Sequence, residues 1–284
     1  MKAVVVTGVS SGIGYGTVRV LLAQGMRVFG SVRKQADAER LQADFGERFT
    51  PLVFDVTDEA AVGRAAAQVR KALAGRRLSG LVNNAGASLT APLAEQPMAE
   101  FRQQLEINLV GPVIVTQAFV PLLGSDRALS GPPGRIVNVS SIGARLSPPF
   151  LGAYAASKAG LEALSDSLRR ELLPFGIDVR VVAPGSVATP IWDKAEADVD
   201  RWQTHPVYGP AIQKFAAQMM KGGRAGYTPE QIGLTIWEAL SSPRATIRYA
   251  PGPETPLTRV MTAVLPKRAL DNLIGRTMGL KPKS

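Results

Sequence analysis

The run Lys2-Ala3-Val4-Val5-Val6-Thr7-Gly8-Val9-Ser10-Ser11-Gly12-Ile13-Gly14 decides how this chain folds. Its first half is apolar and β-branched with no polar alternation, which suits a strand buried on both faces of a parallel sheet. Gly8, Gly12 and Gly14 follow, and a helical pattern then runs from about Ile13 to Gln24. Strand, glycine turn and helix bring backbone N–H groups and a helix N-terminus to one point, an anion site suited to a pyrophosphate. The glycines permit the turn and let a ligand approach the backbone.

Outward from this unit, strands and helices alternate. Met26 to Arg33 reads as the second strand and Pro51 to Val56 as the third. Asp58 is placed to cap a helix running to about Leu73. Ser79 to Gly86 reads as a fourth strand ending in a turn, Pro97 to Leu123 as one long apolar-striped helix carrying Asn108, and Gly134 to Ser141 as a fifth strand. A helix through Tyr154 and Lys158 runs to about Leu173, where Pro174 and Gly176 break it, and Ile177 to Val182 is the sixth strand. Such alternation predicts a Rossmann-type α/β fold, a doubly wound parallel sheet of about seven strands. Gly8, Asn84, Ser141 and Pro184-Gly185 all fall at strand ends, which line the ligand crevice of such a sheet.

Beyond Thr189 the pattern loosens. The segment from 190 to 227 shows no clean strand and holds Trp192, Trp202, Tyr208, Phe215, Met219 and Met220, as a substrate loop or lid would. Thr228 to Leu240 reads as a capped helix and Thr246 to Ala250 as the seventh strand. Leu257 to Gly279 mixes apolar and basic residues at helical spacing and could dock on its own domain, pair with another subunit or touch an acidic membrane surface. The expected organisation is one Rossmann-type domain over 1–284, with a cofactor-binding and catalytic core to 189, the lid over 190–227 and the C-terminal segments over 228–284.

The chemistry centres on Tyr154 and Lys158, four residues apart and so on one helix face. A positive charge ~5 Å from a phenol, at an effective dielectric near 20, favours the phenolate by roughly 3 kcal/mol, or about two pK units. Tyr154 is thereby expected to reach the range of general acid/base work. The end of the second strand, Ser31-Val32-Arg33-Lys34, carries no acid for a ribose 2′-OH. Arg33 could instead pair with a 2′-phosphate, or simply be a solvated strand end.

Composition narrows the function classes. With no cysteine and a single histidine in 284 residues, neither a disulfide framework nor an all-protein zinc site is expected. That histidine, His205, reads as an incidental surface residue. The net charge of +10 favours anionic partners, but the sparse aromatics are not interleaved with the basic residues, so no nucleic-acid partner is expected. The opening residues lack a signal-peptide pattern and no long apolar run suggests a membrane span, so a cytoplasmic protein is expected.

Thr7-Gly8-x-x-x-Gly12-x-Gly14, Asp55-Val56, Asn83-Asn84-Ala85-Gly86, Asn108, Ser141, Tyr154-x-x-x-Lys158 and Pro184-Gly185 with Thr189 together resemble the short-chain dehydrogenase/reductase family over about Lys2 to Thr189. The resemblance implies that Gly8, Ser11, Gly12, Ile13, Gly14 and Gly86 belong to the cofactor site, with Asp55 and Val56 at adenine and Asn84 at its ribose. Pro184, Gly185, Val187 and Thr189 would belong to the nicotinamide side. It implies a catalytic set of Asn108, Ser141, Tyr154 and Lys158, with Ser141 chosen over Ser140 because it stands thirteen residues before the tyrosine. Lys158 would also bind the nicotinamide ribose, and Asn108 would hold a water linking Lys158 to solvent. Ala183 departs from the asparagine common before Pro-Gly. Within the family the chain is similar to NADP-preferring members near the hydroxysteroid and retinol dehydrogenases. This implies NADP(H) in preference to NAD(H), a bulky apolar alcohol or carbonyl substrate, and a homodimer or homotetramer. A dinucleotide-binding sensor or scaffold without catalysis is the alternative, and a nucleic-acid or membrane-surface protein a third reading.

Overall fold

A computed structural model of the protein describes residues 1–189, 199–252, 260 and 264–281. Trp192 and the first part of the expected lid lie outside the described residues, as do most positions from 253 to 263.

The sheet is parallel throughout, in the order β3-β2-β1-β4-β5-β6-β7. Its strands are β1 (Ala3–Val6), β2 (Arg27–Val32), β3 (Phe49–Val53), β4 (Gly80–Asn83), β5 (Arg135–Val139), β6 (Asp178–Val182) and β7 (Arg248–Tyr249). Chain order reverses between β1 and β4, so the crevice of this doubly wound sheet opens beside the glycine turn that follows β1. The seven expected strands are present, although β7 keeps only two of the five residues foreseen from Thr246 to Ala250.

Successive side chains of a strand feed opposite layers. Val5 packs into one buried cluster with Phe29, Leu52, Leu81, Ile136 and Val179, beneath α3 (Glu59–Leu73) and α5 (Gly111–Val120). Val4 and Val6 enter the other cluster with Val28, Val82, Val137 and Val182. That second layer is closed by α1 (Gly12–Ala23) and α9 (Pro229–Ser241), which pack closely through Gly16 and Gly233. A Thr228–Gln231 capping box starts α9, as the Thr-Pro pair implies.

Two long helices escaped the sequence reading, α2 (Gln35–Phe45) and α8 (Gly209–Arg224). The first buries only Ala38 and Leu41, so its apolar stripe is too thin to stand out. The expected single helix from Pro97 to Leu123 is interrupted. It begins as α4 (Met98–Leu105), passes through a π-helical turn at Glu106–Val110, continues as α5 and ends in a second wide turn at Pro121–Ser125, where Gly124 takes φ 151°. By length and composition alone this run could cross a membrane, but half of its most apolar window is buried, and Val115, Phe119 and Leu122 are core residues.

A third cluster stands apart from the sheet. Phe150, Val199, Ala211, Ile212 and Phe215 form it, with Trp202, Tyr208 and Met219 at its border and Met278 of α10 (Lys267–Met278) closing it. The C-terminal helix thus docks on α8 through an apolar side, one of the three uses left open for it.

Candidate active site

The glycine turn is held open by its neighbours. Gly8 and Gly12 take φ of 69° and 57°, where a side chain would be strained. A Cβ on Gly8 would stand 2.9 Å from the Ala85 Cα, and one on Gly14 would collide with the Gly8 carbonyl oxygen. Thr7 sets the opposite wall: its hydroxyl accepts the backbone N–H groups of Asn84 and Ala85, both at 3.0 Å. The Asn84 amide in turn donates to the carbonyls of Thr7 and Gly8 at 2.9 and 3.1 Å. Arg40 of α2 holds the far side by donating to the Ser10 carbonyl at 3.0 Å. The N-terminus of α1 has no acid in its first turn, and Ser11 makes no side-chain capping bond. An anion from outside the chain is what such an end accepts. The residues therefore fit a pyrophosphate.

At the end of β2, Arg33 is exposed, and no hydrogen bond or ion pair engages it among the described residues. Ser31, two residues earlier, accepts the Gly8 N–H at 3.0 Å, which fixes this strand end beside the turn. Asp55 spends one carboxylate oxygen on the N–H and hydroxyl of Thr57. Val56 is buried in the core with its side chain toward Gly111, so only its backbone could meet a ligand.

The catalytic candidates lie on β5, the turn after it, and α7 (Gly152–Glu171). Ser141 Oγ and the Tyr154 ring stand side by side against Gly143, where a Cβ would lie 3.3 and 3.5 Å from them. Ser141 Oγ also accepts the Gly143 N–H at 3.0 Å, which orients it. Ser140 faces away from Tyr154, its hydroxyl donating to Glu162 at 3.1 Å. The turn is tied to the last segment expected at the cofactor by Ile142 N–H, which donates to the Pro184 carbonyl at 3.0 Å. Gly185 N–H reaches the Pro251 carbonyl, Val187 bridges to Tyr227, and Thr189 faces the glycine turn across a gap that a Cβ on Gly12 would narrow to 3.3 Å.

Lys158 is buried, and its ammonium donates to the Val139 carbonyl at 2.8 Å. It stands 5.9 Å from the centre of the Tyr154 ring. Desolvation pushes this lysine down to about 8. The tyrosine moves the other way: burial raises its pKa, and the neighbouring Ser141 hydroxyl offsets this only in part. This corrects the expectation that Lys158 would bring the phenol down. Taking an anion out of water costs more here than a lysine committed to a carbonyl returns.

Asn108 is fully buried in the π-helical turn. Its side chain accepts the Ala87 N–H at 2.8 Å and donates to the Ala87 carbonyl and the Ser157 hydroxyl. It pins the loop after β4 to α7, and Gly86 fits between Asn108 and Lys158 where a Cβ would lie 3.2 and 3.5 Å from their polar atoms. A second buried amide set was not anticipated. Asn83 donates to Asn138 and Thr116, and Asn138 donates to Ser165, which locks β4, β5, α5 and α7 together behind the site.

The model of the short chain dehydrogenase family matches residues 2–200. The chain belongs to the short-chain dehydrogenases. It is similar to the NADPH-dependent 3-dehydrocapnine reductase of Ornithobacterium rhinotracheale, 35% identical over 273 residues that cover 96% of each chain. It is also similar to bovine (Bos taurus) 17-beta-hydroxysteroid dehydrogenase type 6, 34% identical with 97% of this chain and 88% of that one covered. Among solved structures, a short-chain dehydrogenase from Streptomyces avermitilis superposes with a TM-score of 0.75 at 27% identity, covering 99% and 98% of the two chains. The dehydrogenase thus stands near the hydroxysteroid and retinol dehydrogenases, and is an oxidoreductase.

The reading of His205 is also revised. This histidine is mostly buried, not an incidental surface residue. Its Nε2 faces Glu95 at 3.1 Å, and its Nδ1 accepts the backbone N–H groups of Val207 and Tyr208. With the Arg201–Glu100 pair at 2.5 Å, it ties the 199–208 segment to α4 and the loop leading into it.

Proposed function

We propose that this short-chain dehydrogenase is an NADPH-dependent reductase that converts the carbonyl of a bulky apolar substrate to an alcohol, with Tyr154 as the proton donor. The observation that carries the reading is the juxtaposition of Ser141 and Tyr154 at the crevice end of β5, with burial holding the phenol in its protonated form. A protonated phenol is the form a reduction needs.

NADPH, when bound, supplies the hydride. Tyr154 gives its proton to the carbonyl oxygen, and Ser141 donates a hydrogen bond to the same oxygen and steadies the charge that develops there. Lys158 brings a positive charge to the floor of the site, where it holds the nicotinamide ribose. Asn108 keeps the Ala87 loop and α7 in register, and a water beside it would link Lys158 to solvent. Gly8, Ser11, Gly12, Ile13 and Gly14 hold the pyrophosphate, Asn84 the adenosine ribose, Asp55 and Val56 the adenine, and Val187 and Thr189 the nicotinamide amide. The 2′-phosphate falls to Arg33, which no acid engages among the described residues. The name of the Ornithobacterium relative, an NADPH-dependent reductase, supports the cofactor and the direction.

The apolar cluster around Phe150, Tyr208 and Phe215 supports a bulky apolar substrate. Phe150 stands four residues before Tyr154, with φ 67° and its ring edge-on to both Tyr208 and Phe215. We read the enzyme as a cytoplasmic homodimer or homotetramer. The test is consumption of NADPH, and separately NADH, with a panel of long-chain, steroid-like and retinoid-like ketones and aldehydes. Turnover with NADPH on apolar carbonyls is the expected result. Binding of NADPH with no turnover across the panel would favour a non-catalytic sensor.

A further inference from the structure

Glu162 lies one turn beyond Lys158 and two beyond Tyr154, so all three share a face of α7. It touches no reacting atom, yet it gathers the segments that place them. Its Oε1 accepts the Ser140 hydroxyl at 3.1 Å. Arg248 of β7 donates to both its oxygens, with Nη2 at 2.9 Å from Oε1 and Nε at 3.0 Å from Oε2. Arg145, from the short helix α6 (Gly143–Leu146), stands 3.5 Å from Oε2. Ser140 immediately precedes Ser141 in sequence, and Arg145 follows it by four residues on the helix that begins where Gly143 caps Ser141 Oγ. One carboxylate therefore grips both flanks of the serine turn from the helix that carries the tyrosine and lysine. The Glu162 and Arg248 side chains are each only 16% exposed, so their pairing is made largely out of water, while Arg145 reaches in from the surface at 58% exposed.

We propose that Glu162 is a positioning residue, a clamp that sets the Ser141 turn against the Tyr154–Lys158 helix. The inference rests on the reductase reading above. Paired charges this far buried contribute little net stability compared with apolar side chains of the same shape. What the pair does provide is fixed, directional geometry, and a misplacement of about 1 Å near a reacting centre can cost roughly 10²-fold in rate. Ser140 has a single hydroxyl proton and two acceptors, Glu162 at 3.1 Å and the Lys158 carbonyl at 3.3 Å. The charged acceptor holds it, and the strand end follows the carboxylate.

Glu162→Gln and Ser140→Ala test this singly and together. Each is expected to lower kcat about tenfold or more while the NADPH Kd stays within about twofold of wild type. The double variant should fall no further than the worse single one, because both cut the same link. Ultraviolet difference titration gives a readout that a merely structural role would not move. Moving the Ser141 hydroxyl away from the phenol should raise the Tyr154 titration further in both variants. Unchanged kcat, additive losses, or a kcat loss that only follows a fall in melting temperature and NADPH affinity would overturn the proposal. If Glu162→Gln fails to fold, Ser140→Ala carries the test alone, since it removes one oxygen. If the wild type binds NADPH but reduces no carbonyl, the reductase reading fails, and the Tyr154 titration still decides whether the clamp sets the serine.

Discussion

Lys158→Met should make the ligand-free protein more stable while abolishing its chemistry. Most substitutions at buried positions destabilise, so the sign alone is informative. Lys158 is 5% exposed and its pKa falls to about 8. Against an ordinary lysine value of about 10.4, holding the charge in the folded protein at pH 7 costs about 3 kcal/mol. Methionine matches the length and carries no charge, but it leaves the Val139 carbonyl without its donor, a loss of about 1–2 kcal/mol. The net expectation is a gain of about 1–2 kcal/mol, or roughly 2–4 °C in melting temperature for a chain of this size. The pH dependence follows from the sign of the shift. The folded state binds the proton less tightly than the unfolded state, so wild-type stability rises with pH between about 8 and about 10.4. The advantage of Lys158→Met is therefore full below pH 8 and shrinks as the pH climbs through that window. Calorimetric or fluorescence melts of both proteins at several pH values read the effect. A variant less stable than wild type at pH 7, or a gap that does not change with pH, would refute the argument that burial strains this lysine.

Three other expectations follow from the same geometry. Arg33→Ala should weaken NADPH binding about 10- to 100-fold and leave NADH binding nearly unchanged, as loss of one charge-assisted bond to a phosphate implies; cofactor fluorescence titration measures both. Gly14→Ala places a methyl against the Gly8 carbonyl and should abolish cofactor binding and lower the melting temperature, whereas Gly25→Ala, where a Cβ would meet nothing within 4 Å, should leave cofactor binding intact. The phenol of Tyr154 should titrate above the ordinary tyrosine range in the ligand-free protein, read as the ultraviolet difference between wild type and Tyr154→Phe; a titration near neutrality would show that Lys158 dominates after all.

The sheet was legible because each strand is a short apolar run with its own boundary signal. Ala3 to Val6 ends at Thr7-Gly8, and Arg135 to Val139 ends at paired serines. Helix α3 was equally plain, since Asp58 caps it through the Ala61 N–H at 2.9 Å. The π-helical turn around Asn108 was not, because it differs from the helices on either side in hydrogen-bond register rather than in composition. Spacing also placed Tyr154 and Lys158 on one face but could not reveal how deeply they are buried, and burial fixes the sign of the tyrosine shift. Glu162 gave no local signal. Its partners Ser140 and Arg248 lie 22 and 86 residues away in sequence, and only the packing of β5, α7 and β7 brings them together. His205 was misread for the same reason: Glu95 approaches it from a separate loop.

The most direct test of the central claim is Tyr154→Phe, assayed side by side for NADPH binding and for reduction of an apolar carbonyl that the wild type accepts. The substitution removes the proton donor and keeps the ring. NADPH affinity should stay within a few-fold of wild type while kcat falls by about 10²–10⁴-fold, the usual contribution of a positioned acid. Turnover that persists near the wild-type rate would contradict the assignment of Tyr154 as the acid, and with it the mechanism proposed for this dehydrogenase.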